Sequence, residues 1–287
     1  DIDYSAIVQK TDIATRNASS AVLSVLAEKV GNMIVSSADL CNSDKTDGFL
    51  KKTHPLVNGD FTGAFLQAGV AELTMASVMN GIALHGGLIA ACGTFFVFSD
   101  YMKPAIRMAA LMQLPVKYIW SHDAFRVGDD GPTHEPVEQE QQIRLLEELK
   151  NLSGQPSMLV LRPADAVETT VAWEMAMENQ STPTGLIFSR QDVKDIPAAT
   201  ENRWEEAQGA RRGGYVVLDT PHPKVVLVAN GSEVSLLCNV ADQLIAGGVP
   251  CRVVSVPSIG LFLNQDEEYR RSVIPAGVPV FGLTAGL

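Results

Sequence analysis

Chemistry-bearing residues crowd one short stretch, Gly128 to Gln142, which reads GDDGPTHEPVEQEQQ. Asp129, Asp130 and His134 surround a Gly-Pro turn just ahead of a run of Gln and Glu. Further polar groups stand where apolar segments end: Ser36, Ser37 and Asp39 after one, His122 and Asp123 after another, Ser189, Arg190 and Gln191 after a third. Arg16 lies at the start of a helical segment. Arginine offers a planar two-pronged donor that matches phosphate, and His and Asp bond hydroxyls. Gathered on one rim, this set suits a phosphorylated, polyhydroxylated ligand. Each residue taken singly also has a plainer reading. Arg190 fits a solvated strand end. Ser37 and Asp39 fit a helix N-cap or a turn. His122 and His134 fit ordinary hydrogen-bonded loop histidines, and Asp129 to Thr133 a turn about Gly131-Pro132. No HxxxH or helical His-plus-carboxylate spacing occurs, so no metal ligand set is expected.

Glu72 stands apart, in AGVAELTMASVM, with Val70, Leu73, Met75 and Ala76 around it. It is either the polar edge of an amphipathic helix or a buried carboxyl. Burial disfavours the anion, and a carboxyl that can hold a proton near neutrality suits acid–base work. The run TFFVFSDY holds Phe95, Phe96, Phe98 and Tyr101. Read as a strand, it sends alternate rings to opposite faces. Most of them fill a core, and one is free to stack on a flat heterocycle.

These groups need a scaffold, and the hydrophobic pattern supplies one. Helical segments (ATRNASSAVLSVLAEKV, GVAELTMASVMNGIALHGG, DYMKPAIRMAALMQ with Pro104 in its first turn, EPVEQEQQIRLLEELK, AVETTVAWEMAMEN) alternate with apolar strands (NMIVSSADL, LIAACGTFFVF, PVKYIWSHD, SMLVLRPAD, TGLIFSRQ). Near-continuous apolar strands between helices predict an α/β fold, a parallel sheet with helices on both faces. In such sheets ligands bind beyond the carboxyl ends of the strands, where the polar groups gather. Residues 194–212 are polar, hold a Pro and end in Gly-Gly, and read as a linker. Alternation resumes over 213–287 as a second, smaller α/β domain. The chain opens on Asp1 and breaks off at Leu287 within a strand and turn, so it is expected to be a processed or truncated piece.

Composition narrows the partners. The 287 residues are 46% hydrophobic, enough for a sizeable core, and the formal net charge is −11. That balance argues against a nucleic-acid or anionic-membrane surface. No apolar run of membrane-spanning length and no leader occurs, so a soluble, cytoplasmic protein is expected. Cys41, Cys92, Cys238 and Cys251 are scattered without CxxC spacing and read as reduced thiols.

Taken in order, VSSADL, GVAEL, NGIALHGG, TFFVFSDY, RMAALM, SHD, GDDGPTHEPVEQ, LRPAD, VAW, SRQ, RRGGYV and GSEVSL resemble transketolase. The likeness runs from about Ile13 to the end, over the pyrimidine-binding domain (1–193) and the start of the C-terminal domain. It implies the thiamine-diphosphate-binding fold and transfer of a two-carbon ketol unit between sugar phosphates in the pentose phosphate pathway. The implied cofactors are thiamine diphosphate and Mg2+ or Ca2+. The metal and diphosphate are held by an amino-terminal half absent here; no GDG…N motif occurs. The resemblance further implies a homodimer with the cofactor between subunits.

By the same resemblance, Glu72 stands where the family's catalytic Glu bonds the pyrimidine N1′. Phe95 and Phe98 match the aromatics at the aminopyrimidine, with Tyr101 nearby. Arg16, Ser37, His122 and Arg190 match the holders of substrate phosphate. Asp130 matches a carboxylate on a sugar hydroxyl, and His134 the histidine at the donor's carbonyl end. The chain departs from the family in having Ser36 for Gly, Ala71 for Arg, Arg126 for Gly and Asp129 for Glu, and in extra length between Gln141 and Pro163. Related thiamine-dependent enzymes, deoxyxylulose-phosphate synthase and keto-acid dehydrogenase beta chains, share the Glu and the fold. A non-catalytic partner subunit is the remaining alternative.

Overall fold

A computed structural model describes residues 2–286. The first lobe runs α1 (Thr15–Lys29), β1 (Met33–Ser37), α2 (Cys41–Asp44), α3 (Asp47–Leu50), β2 (Phe65–Gln67), α4 (Glu72–His85), β3 (Ile89–Phe95), α5 (Ser99–Met112), β4 (Lys117–Ser121), α6 (Gln139–Glu148), β5 (Leu159–Leu161), α7 (Ala166–Glu178) and β6 (Thr184–Ile187). Its strands form one six-stranded sheet in the order β2-β1-β3-β4-β6-β5, every pair parallel.

Successive strand residues serve opposite faces. Ile34 joins a core with Met75, Met79, Met102, Ile106 and Trp120, under α4 and α5. Val35 joins a core with Val22, Leu26, Val171 and Trp173, under α1 and α7. That double burial explains why the strands read as unbroken apolar runs. The chain leaves β1 toward β2 and returns on the other side of β1 to form β3. A crevice therefore opens between the carboxyl ends of β1 and β3.

The second lobe adds α8 (Arg203–Ala207), β7 (Tyr215–Leu218), β8 (Val225–Ala229), α9 (Glu233–Ala246), β9 (Cys251–Ser255), α10 (Ile259–Leu263), α11 (Glu267–Val273) and β10 (Val280–Gly282). Its sheet order is β10-β8-β9-β7, with β7 antiparallel to β9. The α1–α7 core continues into this lobe through Leu227, Val234, Leu237 and Val253. The Glu147 carboxylate of α6 accepts the Ser258 hydroxyl and the Gly260 amide of the second lobe.

Several sequence-level expectations are corrected. Pro104 lies inside α5, beyond its first turn, because the helix already starts at Ser99. α6 begins at Gln139, not Glu135. The short strand β2 and helices α2 and α3 carry no periodic apolar signal and were not foreseen. The stretch 194–212, read as a linker, carries structure of its own. Asn202 caps α8 by accepting from the amides of Trp204 and Glu205, and Ala207 and Ala210 are buried. Among the described residues no helix is long and apolar enough to cross a membrane.

Candidate functional site

Parallel register puts Ser37 opposite Gly93, and Phe95 opposite Ser121, so β1, β3 and β4 end along one edge. Past Phe95 the chain does not continue as a strand. Residues Phe96–Phe98 form a 3-10 turn, in which side chains three apart come into line. Phe95 and Phe98 therefore stack, with centroids 5.9 Å apart and planes 7° from parallel. Phe96 points the other way into the core, 5.5 Å from Trp120. Strand alternation would have put Phe96 and Phe98 on the same face. The 3-10 turn instead pairs Phe95 with Phe98 at the edge.

The stack extends in both directions. The His122 ring lies 3.7 Å from Phe95 and roughly parallel to it. Tyr101 lies 6.1 Å from Phe98 and is exposed. His134 meets Phe98 edge-on at 5.4 Å, and its Nδ1 lies 2.9 Å from the Thr133 hydroxyl. The 128–142 stretch thus returns His134 to the aromatic row.

His122 is buried and adopts a left-handed backbone, φ 61°. Its Nδ1 lies 2.9 Å from the Ser121 hydroxyl, and its Nε2 is 3.9 Å from the Asp130 carboxylate. Burial, then the cations Arg16 and Arg190, press its pKa down to about 3, so the ring is neutral. Arg16 donates to the Ser43 carbonyl at 2.8 Å, while its buried Nε has no partner among the described residues. Burial and the neighbouring Arg190 lower the Arg16 pKa. Arg190 follows β6 and is exposed. Its guanidinium lies against Gly128, where an added Cβ would come within 2.9 Å of Nη2. With φ 89° as well, Gly128 is suited to this approach. Two guanidiniums beside a neutral imidazole make this corner suited to an anion.

Ser37 is placed differently. It is buried, its hydroxyl donates to Asp44 at 2.6 Å, and it accepts the Leu40 amide. That is the turn geometry its sequence neighbourhood suggested, and its donor is already engaged. Asp44 was missed by the sequence reading. It is fully buried, also accepts from the Thr46 amide and hydroxyl, and burial raises its pKa to about 6. Nothing in CNSDKTD distinguishes it from a solvated turn.

Glu72 begins α4 just past the turn at Gly69, φ 70°. It is only 7% exposed, and among the described residues its carboxylate has no hydrogen-bond partner. It faces a cleft of about 410 Å³ lined by Ala38, Leu40, Val70, Phe98 and Tyr101. An unpartnered carboxyl opening onto flat apolar walls fits an aminopyrimidine, which presents a ring nitrogen for hydrogen bonding and two faces for packing. No three His, Cys, Asp or Glu side chains converge as a metal site among the described residues. Cys41, Cys92, Cys238 and Cys251 are free thiols.

A family model described as transketolase, pyrimidine binding domain, matches residues 11–195. A second, transketolase-like TK C-terminal domain, matches 213–287. The plasmid transketolase of Cupriavidus necator is 44% identical over 274 residues, 96% of this chain and 38% of that protein. The transketolase of Bacillus subtilis is 42% identical over 270 residues, again 38% of its length. This chain therefore spans under two-fifths of these curated relatives. A solved transketolase from Leishmania mexicana superposes with TM-score 0.90 at 36% identity, covering 99% of this chain and 40% of that one. A structure titled split gene transketolase, inactive beta4 tetramer, superposes with TM-score 0.66 at 22% identity, a likeness of fold, covering 89% of that chain.

Proposed function

The chain belongs to the transketolase family, and on that premise we propose that it supplies the pyrimidine-binding part of a thiamine-diphosphate-dependent transferase. The proposed reaction moves a two-carbon ketol unit between sugar phosphates of the pentose phosphate pathway. The carrying observation is Glu72, a buried residue whose carboxyl has no partner among the described residues and faces a cleft lined by Phe98 and Tyr101. Thiamine diphosphate, when bound, supplies a carbon nucleophile and a sink for the electrons of the broken C–C bond. Glu72 would hold a proton at a ring nitrogen of the aminopyrimidine, with Phe95, Phe98 and Tyr101 packing at its faces. Arg16, Arg190 and neutral His122 would bind the sugar phosphate. Asp130 would orient a hydroxyl, and His134 would hold or release a proton at the oxygens of the donor's reacting end. Ser37 would act through the turn it anchors.

The metal, Mg2+ or Ca2+, and the diphosphate are assigned to an amino-terminal diphosphate-binding half, which the longer relatives have room for. Without it this chain is expected to be inactive. A homodimer goes with this reading. Leu73, Leu84, Met108, Leu111 and Met112 leave an exposed apolar face on α4 and α5, next to the cleft at Glu72. A cytoplasmic location, where the four thiols stay reduced, is part of the same proposal. The transketolase relatives favour this over the deoxyxylulose-phosphate synthase and keto-acid dehydrogenase alternatives.

The test is ketol transfer from a ketose phosphate to ribose 5-phosphate by the full-length protein, parent beside Glu72→Gln. Turnover in the parent and its loss by about 1,000-fold or more in the variant is expected. Equal turnover in both sinks the proposal. Titration of this chain alone with thiamine diphosphate and Mg2+ is expected to show no tight binding.

A further inference from the structure

The LRPAD arginine has no part in the chemistry proposed above, yet it is among the largest fully buried side chains of the molecule. Arg162 directly follows β5. Its Nη2 donates to Asp123 Oδ2 at 2.7 Å, and its Nε to the same oxygen at 3.1 Å. Asp123 is the residue after His122. On the far side of the loop, Glu140 in the first turn of α6 lies 3.7 Å from Arg162 Nη1. The same Nη1 donates to the Asn230 side chain at 2.7 Å and pairs with Glu233. Both belong to the second lobe. The backbone repeats the pattern: the Arg162 amide donates to the Pro257 carbonyl, and its own carbonyl accepts from Gly231. Gly231, φ 56°, leaves no room for a side chain, since a Cβ there would sit 2.7 Å from the guanidinium carbon.

We infer that Arg162 is a positioning residue of the substrate site. One guanidinium clamps both ends of the 122–138 loop and ties them to Asn230 and Glu233 of the second lobe. The inference rests on the sugar-phosphate reading of that site. Holding the Asp123 carboxylate fixes the peptide that keeps His122 left-handed and its ring on Phe95. Holding Glu140 fixes where α6 starts, and so where the loop must deliver Asp130 and His134. A planar fork with five donors satisfies this number of acceptors, whereas an ammonium is a point charge. Three carboxylates around one buried cation make the cluster intolerant of losing that cation. The second lobe thus sets substrate affinity without touching substrate.

Arg162 variants risk not folding, so the test uses Asp123→Asn and Glu233→Gln in the full-length protein. Both keep side-chain shape and weaken the clamp, one from each lobe. Hydrogen exchange is expected to show amides of 124–137 losing about tenfold or more of their protection while β1 and β3 keep theirs. The KM for ribose 5-phosphate is expected to rise about fivefold or more, and kcat to fall with it as His134 loses its fixed position. Unchanged loop protection in both variants overturns the inference. So does exchange that quickens evenly over the chain with kcat lowered at constant KM, because that is loss of folded protein. If the parent shows no ketol transfer, the functional reading falls, while loop-confined exchange in the variants still supports the clamp.

Discussion

The Ser37 hydroxyl donates a hydrogen bond to the fully buried Asp44 carboxylate across 2.6 Å, at the carboxyl end of β1. The pair turns a serine of the candidate phosphate rim into an anchor for the loop beneath it. It also places a titrating group under that rim.

Asp44 should leave a mark on the pH dependence of stability. Burial raises its pKa from 3.8 to about 6, so between those values the folded chain holds a proton that the unfolded chain has lost. Its contribution is present below pH 3.8 and is lost as pH rises through about 6, a difference on the order of 3 kcal/mol. Asp44→Asn should remove this fall. Urea unfolding of parent and variant at pH 4 and pH 7 checks it. A stability difference between the two proteins that does not change with pH would contradict the assignment.

His122 works in the opposite sense. With its pKa pressed from 6.5 down to about 3, its contribution is complete above pH 6.5 and is lost as pH falls toward 3. His122→Asn tolerates the left-handed backbone but lacks the ring that stacks on Phe95. The KM for a sugar phosphate should rise about tenfold or more, and the loss of a buried, stacked ring should lower Tm as well. An unaltered KM would remove His122 from the phosphate corner.

Lys117 is buried at the start of β4, donates among the described residues only to the Asn179 carbonyl, at 2.7 Å, and has its pKa lowered by burial from 10.5 to about 7. The unfolded chain therefore binds more protons between pH 7 and 10.5, and stability rises with pH across that window. Lys117→Met should stabilise the protein at pH 6 by about 1–3 kcal/mol, read as a higher urea midpoint. A lower midpoint would show the ammonium to be better compensated than its contacts indicate.

Gly213, in RRGGYV, has φ 86°, and a Cβ there would lie 2.2 Å from the Phe262 amide nitrogen. Backbone atoms cannot swing aside as a side-chain tip can. Gly213→Ala should cost about 3 kcal/mol or more and lower Tm by several degrees, whereas Gly277→Ala, also at positive φ but with open space around it, should cost less. Equal losses at the two sites would mean that φ alone, not the close approach, governs Gly213.

The sequence by itself determined the parallel sheet, because strands buried on both faces must be apolar throughout, and that is a local pattern. It determined which polar residues stand at strand exits, since an exit is where the apolar run stops. It singled out Glu72, an acid set among small and apolar neighbours, and through the ordered motifs it carried the family. Only the tertiary structure decided what those residues face. The 3-10 turn that lines Phe95 up with Phe98 depends on Phe96 finding Trp120 in the core. The inward turn of Ser37 depends on Asp44, which reads as a surface residue until α2 folds beneath β1. The clamp on Arg162 gathers Asp123, Glu140 and Glu233 from three distant segments. Burial, and with it the protonation of Asp44, His122 and Lys117, is a property of what packs over a group, and neighbours far apart along the chain supply it.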